Sequence, residues 1–170
     1  KNKIGQIQSD FFKKSADIKW VQRANLHLTL KFLGEVADNK AVQVIEKLKN
    51  VVLNVRKFVI NFEKIGVFPD EVFPRVLWLG IEKGKEELKS IAEKIEIAFE
   101  EIGFKKEKRP FSAHLTIGRF RSPTCSPRIH SGVSEANKKI FDMIKKRPPE
   151  FFSDTVESIF LIKSTLTPVG

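Results

Sequence analysis

The chain has one cysteine, Cys125, in 170 residues. No intramolecular disulfide can form, which excludes a disulfide-stapled secreted scaffold and makes a reducing cytosol the expected compartment. Tyrosine is absent and histidine occurs three times. No apolar run approaches the roughly eighteen residues of a membrane span, and no basic head, apolar middle and small-residue cleavage site mark a signal peptide. A membrane protein is therefore not expected. His-x-His pairs and cysteine clusters are also missing, so the common spacing of a zinc site is not found. Neither a metal nor any other cofactor is expected.

What is present bounds the rest. A 41% hydrophobic chain of this length can bury a real core as one compact domain. The 31 Lys and Arg outnumber 21 Asp and Glu, a net charge of +10. Such an excess attracts polyanions, whether RNA, DNA or phosphorylated small molecules, although a lysine-rich solvated surface explains it equally well.

Against that background, His27-Leu28-Thr29-Leu30 recurs as His114-Leu115-Thr116-Ile117, about half a chain later. Side chains two apart in an extended strand share a face, so each copy puts an imidazole and a hydroxyl on one side and two aliphatic residues on the other. The polar pair is expected to face a cleft and the aliphatic pair a core. Two buried structural histidines are the bland alternative, and the matched contexts of two of only three histidines weigh against it.

Ile4, Ile7, Phe11 and Phe12 predict an opening helix to about Ala16, followed by a short strand over Ile18 to Val21. Asn25 to Gly34 alternates as a strand, with Leu26, Leu28 and Leu30 on one face and His27, Thr29 and Lys31 on the other. Asp38 is read as the cap of a helix with the stripe Ala41, Val44, Ile45, Leu48, Val51 and Val52. Phe58, Ile60 and Phe62 mark a strand, Pro69 to Pro74 a loop, and Arg75 to Ile81 a buried strand. Leu88, Ile91, Ala92, Ile95, Phe99 and Ile102 define a helix stopped by Gly103 in a left-handed cap. After the second motif, Ser122 to Ser134 reads as a loop, Ile140, Phe141 and Ile144 as a short basic helix ended by Pro148-Pro149, and Val156 to Ser164 as a last strand. This order predicts an α+β fold: one domain over residues 1–170, made of two pseudo-symmetric lobes that each contribute one His-x-Thr strand to a central cleft.

An imidazole in general titrates near pH 6.5, so close to neutrality one histidine can act as a base while another acts as an acid. That pair suits in-line attack on phosphorus. One ring takes a proton from the attacking water or hydroxyl and the other protonates the departing ribose oxygen, each step worth about 10²- to 10⁴-fold. A threonine beside each histidine can donate to a non-bridging phosphate oxygen. Metal catalysis is the rival for two histidines, but neither motif contains a carboxylate to complete a coordination shell. Cys125, between Thr124 and Ser126, has nothing beside it that marks an activated nucleophile.

With both motifs in hand, the chain resembles the 2H phosphoesterases, and within them the RNA 2′,3′-cyclic phosphodiesterases also called 2′-5′ RNA ligases. Ile18-Lys19-Trp20-Val21 and Asn25 through His27-Leu28-Thr29 to Glu35 are similar to the family's first signature. Pro74 to Gly80 resembles its middle strand, and Arg109-Pro110-Phe111 through His114-Leu115-Thr116 to Arg119 its second signature, with the likeness extending to Ser164-Thr165-Leu166. The resemblance implies a bilobal, metal-independent fold of mainly antiparallel sheet flanked by helices, His27 and His114 as catalytic acid and base, and Thr29 and Thr116 as phosphate ligands. It also implies a phosphate-binding role for Arg119, which strict alternation puts on the face opposite His114 unless a bulge near Gly118 brings it round. The family pattern has one strand ahead of the first helix and another after the segment matching Thr167 to Gly170; without them, exposed sheet edges are expected.

The implied reaction hydrolyses an RNA 2′,3′-cyclic phosphate end to a 2′-phosphomonoester, with tRNA fragments among the candidate substrates and a monomer as the expected state. Joining or splitting of 2′-5′ linkages uses the same centre with a ribose hydroxyl as nucleophile. An RNA-binding module without turnover and a phosphodiesterase of a small cyclic nucleotide are the competing readings. Lys31 is weighed as a cation at the rim of the cleft or a solvated lysine. Trp20, Phe32, Trp78 and Phe111 are weighed as base-stacking platforms or core, with core favoured. Arg75 fits substrate or solvent. His130, followed two positions later by Gly132 rather than a hydroxyl, is read as a surface residue. Lys138, Lys139, Lys145, Lys146 and Arg147 are read as a solubilising face rather than an RNA footprint.

Overall fold

Alternating aliphatic residues in the middle of the chain build one antiparallel sheet, and that sheet positions everything else. The computed structural model of the protein describes residues 2–12, 18–121, 141, 142, 145 and 152–164. Five strands, β1 (Ile18–Trp20), β2 (Phe58–Phe68), β3 (Val76–Ile81), β4 (His114–Phe120) and β5 (Phe152–Val156), lie in the order β1-β4-β3-β2-β5. All four pairings are antiparallel. Leu77, Leu79, Ile81, Leu115 and Ile117 point to one face and are buried with Ile18, Ile60 and Phe62 in the main core. The opposite face carries Val76, Trp78, Gly80, His114 and Thr116.

Helix α1 (Asn2–Phe12) closes the core side beside β4, where Ile4 is buried. Gln8 fixes it there by donating from Nε2 to the carbonyls of Val21 (2.9 Å) and Ile117 (3.0 Å). Helices α2 (Asp38–Val52) and α3 (Lys85–Glu100) pack together through Val44, Ile91, Ile95 and Phe99. Leu88 of α3 reaches the main core, while Leu30 packs against both clusters and so joins the first motif to sheet and helices. Asp38 is the first helical residue rather than the cap; Ala37 holds the cap position with extended backbone. There the Asp38 charge still faces the positive end of the helix dipole. Gly103 adopts the expected left-handed conformation (φ 85°) just beyond α3.

Two predicted strands are corrected. Asn25 to Gly34 forms no strand: Arg23–Asn25 is a 3-10 turn, and the following extended segment makes one isolated bridge. The last strand among the described residues is β5, Phe152–Val156, ahead of the predicted Val156 to Ser164. Phe152 fixes it by stacking on Phe62 at 4.7 Å, while Phe160, Leu161 and Ile162 stand exposed and pair with no strand among the described residues. Phe141 and Asp142 are helical, but the rest of the predicted basic helix apart from Lys145, the Ser122–Ser134 loop with Cys125 and His130, and Thr165 to Gly170 lie outside the described residues.

Two glycines make room for one indole on the open face of the sheet. Gly66 pairs with Trp78 across β2 and β3, and a Cβ at Gly66 would overlap Trp78 Cζ2; one at Gly80 would sit 2.9 Å from Cζ3. The indole therefore lies flat over backbone. Gly66→Ala must push the ring away and should cost about 1–3 kcal/mol of stability, read by urea denaturation. An unchanged midpoint and slope would mean that the ring does not rest there.

Candidate active site

β4 carries His114 and Thr116 on the open face because Leu115 and Ile117 are taken by the core. The first motif joins from the outer edge, where Leu28 bridges antiparallel to Leu115. Extending that register one residue each way sets His27 opposite Thr116 and Thr29 opposite His114, with all four polar side chains on one face. Directly opposed residues have Cβ atoms about 4.5–5.5 Å apart, and diagonal neighbours lie roughly 7–8 Å apart. That register puts the two imidazoles on one diagonal and the two hydroxyls on the other.

Both rings are held in the same way. His27 Nδ1 donates to the Asn25 carbonyl and His114 Nδ1 to the Ser112 carbonyl, each at 2.7 Å and each two residues back along the chain. A carbonyl only accepts, so Nδ1 carries the hydrogen of the neutral ring and Nε2 carries the lone pair. Neither Nε2 has a hydrogen-bond partner among the described residues. Each ring therefore presents one nitrogen that can take up or give a proton.

Arg119 comes round to this face through a bulge. Leu77 pairs with Gly118 but Trp78 pairs with Thr116, which leaves Ile117 as the extra residue on β4. Ile117 and Gly118 are consecutively buried as a result. Beyond the bulge Arg119 opposes Val76, which shares the face of Trp78, and so it projects on the same side as His114 and Thr116. Lys19 opposes Arg119 from β1 and adds a second cation to that side.

The other flank is aromatic. Phe68 stacks on Trp78 at 5.0 Å and meets the His114 ring at 5.1 Å with an interplanar angle of 86°. Trp78 is thus half-buried beside the motif. Phe68 carried no signal in the sequence, because it becomes a neighbour of His114 only through the pairing of three strands. Trp20 and Phe111 pack on the core, whereas Phe32 is 81% exposed, against the expectation of core. Arg75 is exposed, and Lys145 pairs with Glu71 at 3.2 Å.

Lys31 does not border the histidines as a free cation: its Nζ is 2.6 Å from Glu96 Oε2 of α3. A cavity of about 390 Å³ lies beyond it, lined among others by Lys31, Phe32, Lys40, Phe104 and Lys105. None of the His-x-Thr residues lines that cavity. Among the described residues no group of three or more His, Cys, Asp and Glu side chains comes together. No described helix is long and apolar enough to cross a membrane.

A family model described as LigT like phosphoesterase matches residues 1–78 and again residues 79–169, with one His-x-Thr copy in each stretch. The RNA 2′,3′-cyclic phosphodiesterase of Aquifex aeolicus is 35% identical over 93% of this chain and 81% of its own length. The protein of that name from Archaeoglobus fulgidus is 36% identical over 90% of this chain and 78% of its own. A crystal structure from Thermus thermophilus superposes with a TM-score of 0.76 at 25% identity, covering 98% of this chain and 83% of that one. Escherichia coli LigT complexed with 3′-AMP gives 0.59 at 25% identity, covering 79% and 74%.

The matched carbonyl contacts fix a tautomer that can be read directly. Two-bond ¹H–¹⁵N correlation spectra of the neutral rings should show His27 and His114 both protonated at Nδ1. Nε2-protonated rings at either position would contradict the geometry.

Proposed function

This chain belongs to the LigT-like phosphoesterase family, and we propose that it opens the 2′,3′-cyclic phosphate of an RNA terminus to a 2′-phosphomonoester, using His27 and His114 as acid and base. The observation that supports this reading is the antiparallel bridge of Leu28 to Leu115, which joins two motifs whose imidazoles are held alike through Nδ1. The name RNA 2′,3′-cyclic phosphodiesterase borne by relatives 35% and 36% identical supports the substrate.

The proposed step uses Nε2 of each ring, since Nδ1 is taken by a carbonyl. A neutral ring takes a proton from water as the water oxygen attacks phosphorus in line with the P–O3′ bond. That bond breaks, and the protonated second ring gives its Nε2 proton to O3′, leaving a 3′-hydroxyl and a 2′-phosphate. Charge gathers on the non-bridging oxygens in the transition state. Thr29 and Thr116 donate to them from fixed positions, and Arg119 supplies a full positive charge from the same face. The stacked Phe68–Trp78 pair packs one side of His114 and limits how far its ring can turn.

The two stretches matched by the family model, each with one motif, support two related lobes within a single domain. The lobes interleave rather than stand apart: β1 and β2 fall in the first stretch, β4 and β5 in the second, and the boundary runs through β3. A cytosolic enzyme acting on RNA ends, tRNA fragments included, is consistent with the single cysteine and the net charge of +10.

His27→Ala and His114→Ala should each lower kcat on a cyclic-phosphate-terminated RNA by about 10²- to 10⁴-fold with an unchanged circular dichroism spectrum. Thr29→Ala and Thr116→Ala should lose less. Two histidine variants with near-wild-type rates would remove the acid–base pair from the mechanism.

A further inference from the structure

The first motif is the weakly held half of the site. The second sits inside a strand laddered along β3, whereas Leu28 supplies a single bridge for the first. Leu26, Leu28 and Leu30 pack on the core and set the depth of the segment, but apolar contacts are non-directional and do not fix its position along the strand axis. A directional anchor is needed, and Lys31 is the next residue.

Alternation would have put Lys31 on the face of His27 and Thr29. Its side chain instead turns toward α3 and is 6% exposed, with Nζ 2.6 Å from Glu96 Oε2 and 3.0 Å from the Lys105 carbonyl. The same Glu96 oxygen accepts the Glu107 backbone N–H at 3.2 Å. One carboxylate thus ties the segment that leaves the first motif and the segment that leads into the second to a single point on α3. A nearly buried ammonium is tolerated only with such partners, which makes the arrangement specific in distance and direction.

We propose that Glu96, acting through Lys31, is a positioning residue that sets His27 and Thr29 in register against Thr116 and His114. The inference rests on the two-histidine reading of the site. Neither Glu96 nor Lys31 touches the reacting atoms; each fixes where the first motif stands. Misplacement by about 1 Å can cost on the order of 100-fold in rate, so loosening the tie is expected to appear in kcat rather than in KM.

The test compares Glu96→Gln, Lys31→Met and Lys31→Arg with His27→Ala, each assayed on a cyclic-phosphate-terminated RNA well below its melting temperature, with kcat expressed per folded molecule. Lys31→Met keeps the length of the stem and leaves no buried ammonium, so it serves where Glu96→Gln fails to fold. The expected result is a kcat at least about 10-fold lower in Glu96→Gln and Lys31→Met at nearly constant KM. Lys31→Arg, which can still reach the carboxylate, should restore most of the rate. The double variant should be no slower than the worse single one, because the two residues act as one unit. Wild-type kcat in folded Lys31→Met, alongside a dead His27→Ala, would overturn the positioning role and leave the acid–base pair standing. Turnover that survives His27→Ala would instead remove the underlying mechanism.

Discussion

One antiparallel contact, Leu28 against Leu115, decides what the two His-x-Thr copies can do together. Without it, each copy is a histidine and a threonine on a separate stretch of chain. With it, both aliphatic partners go to the core and the four polar groups converge on the other face, each imidazole beside the hydroxyl of the opposite copy. The contact is backbone geometry, but its direction is set by burial: Leu115 is 4% exposed and Ile117 fully buried, so β4 cannot turn its histidine inward without exposing them.

The local environment of each ring is as important as the pairing. A histidine that uses Nδ1 to donate to its own chain two residues back keeps Nε2 available in both protonation states. In the proposed reaction either ring can then serve as the acid or the base. Near-equivalence of His27 and His114 is a property of the fold, since both take a carbonyl from the same offset. The asymmetry lies around them: Phe68 and Trp78 crowd His114, whereas His27 is exposed at the edge of the sheet.

Much of this was legible in the residues. The alternation of Leu77, Leu79 and Ile81 and the stripes of α2 and α3 were strong because each element meets a hydrophobic partner along its whole length. The repeated tetrapeptide stood out because histidine is scarce, and the structure brings its two copies side by side through Leu28 and Leu115. The demand for a bulge near Gly118 came from the position of Arg119, and the extra residue is Ile117. What could not be read depends on partners distant in sequence. Residues 25–34 alternate like a strand, yet β1 already occupies the edge of β4 at residues 118–120. Leu30 and Leu33 find the helices rather than another strand. Lys31 left its expected face because Glu96, far along the chain, offered a better partner than solvent. Phe160, Leu161 and Ile162 look like strand residues, but β5 is built from the preceding segment because Phe152 can stack on Phe62.

The most direct measurement is to incubate the protein with a short RNA ending in a 2′,3′-cyclic phosphate in excess EDTA and to identify the product against 2′- and 3′-phosphate standards. The proposed acid–base pair predicts turnover without added metal and a product carrying only a 2′-phosphate. Binding of the RNA with no hydrolysis, or hydrolysis that stops when the metal is chelated, would contradict a centre that works by acid–base catalysis between His27 and His114.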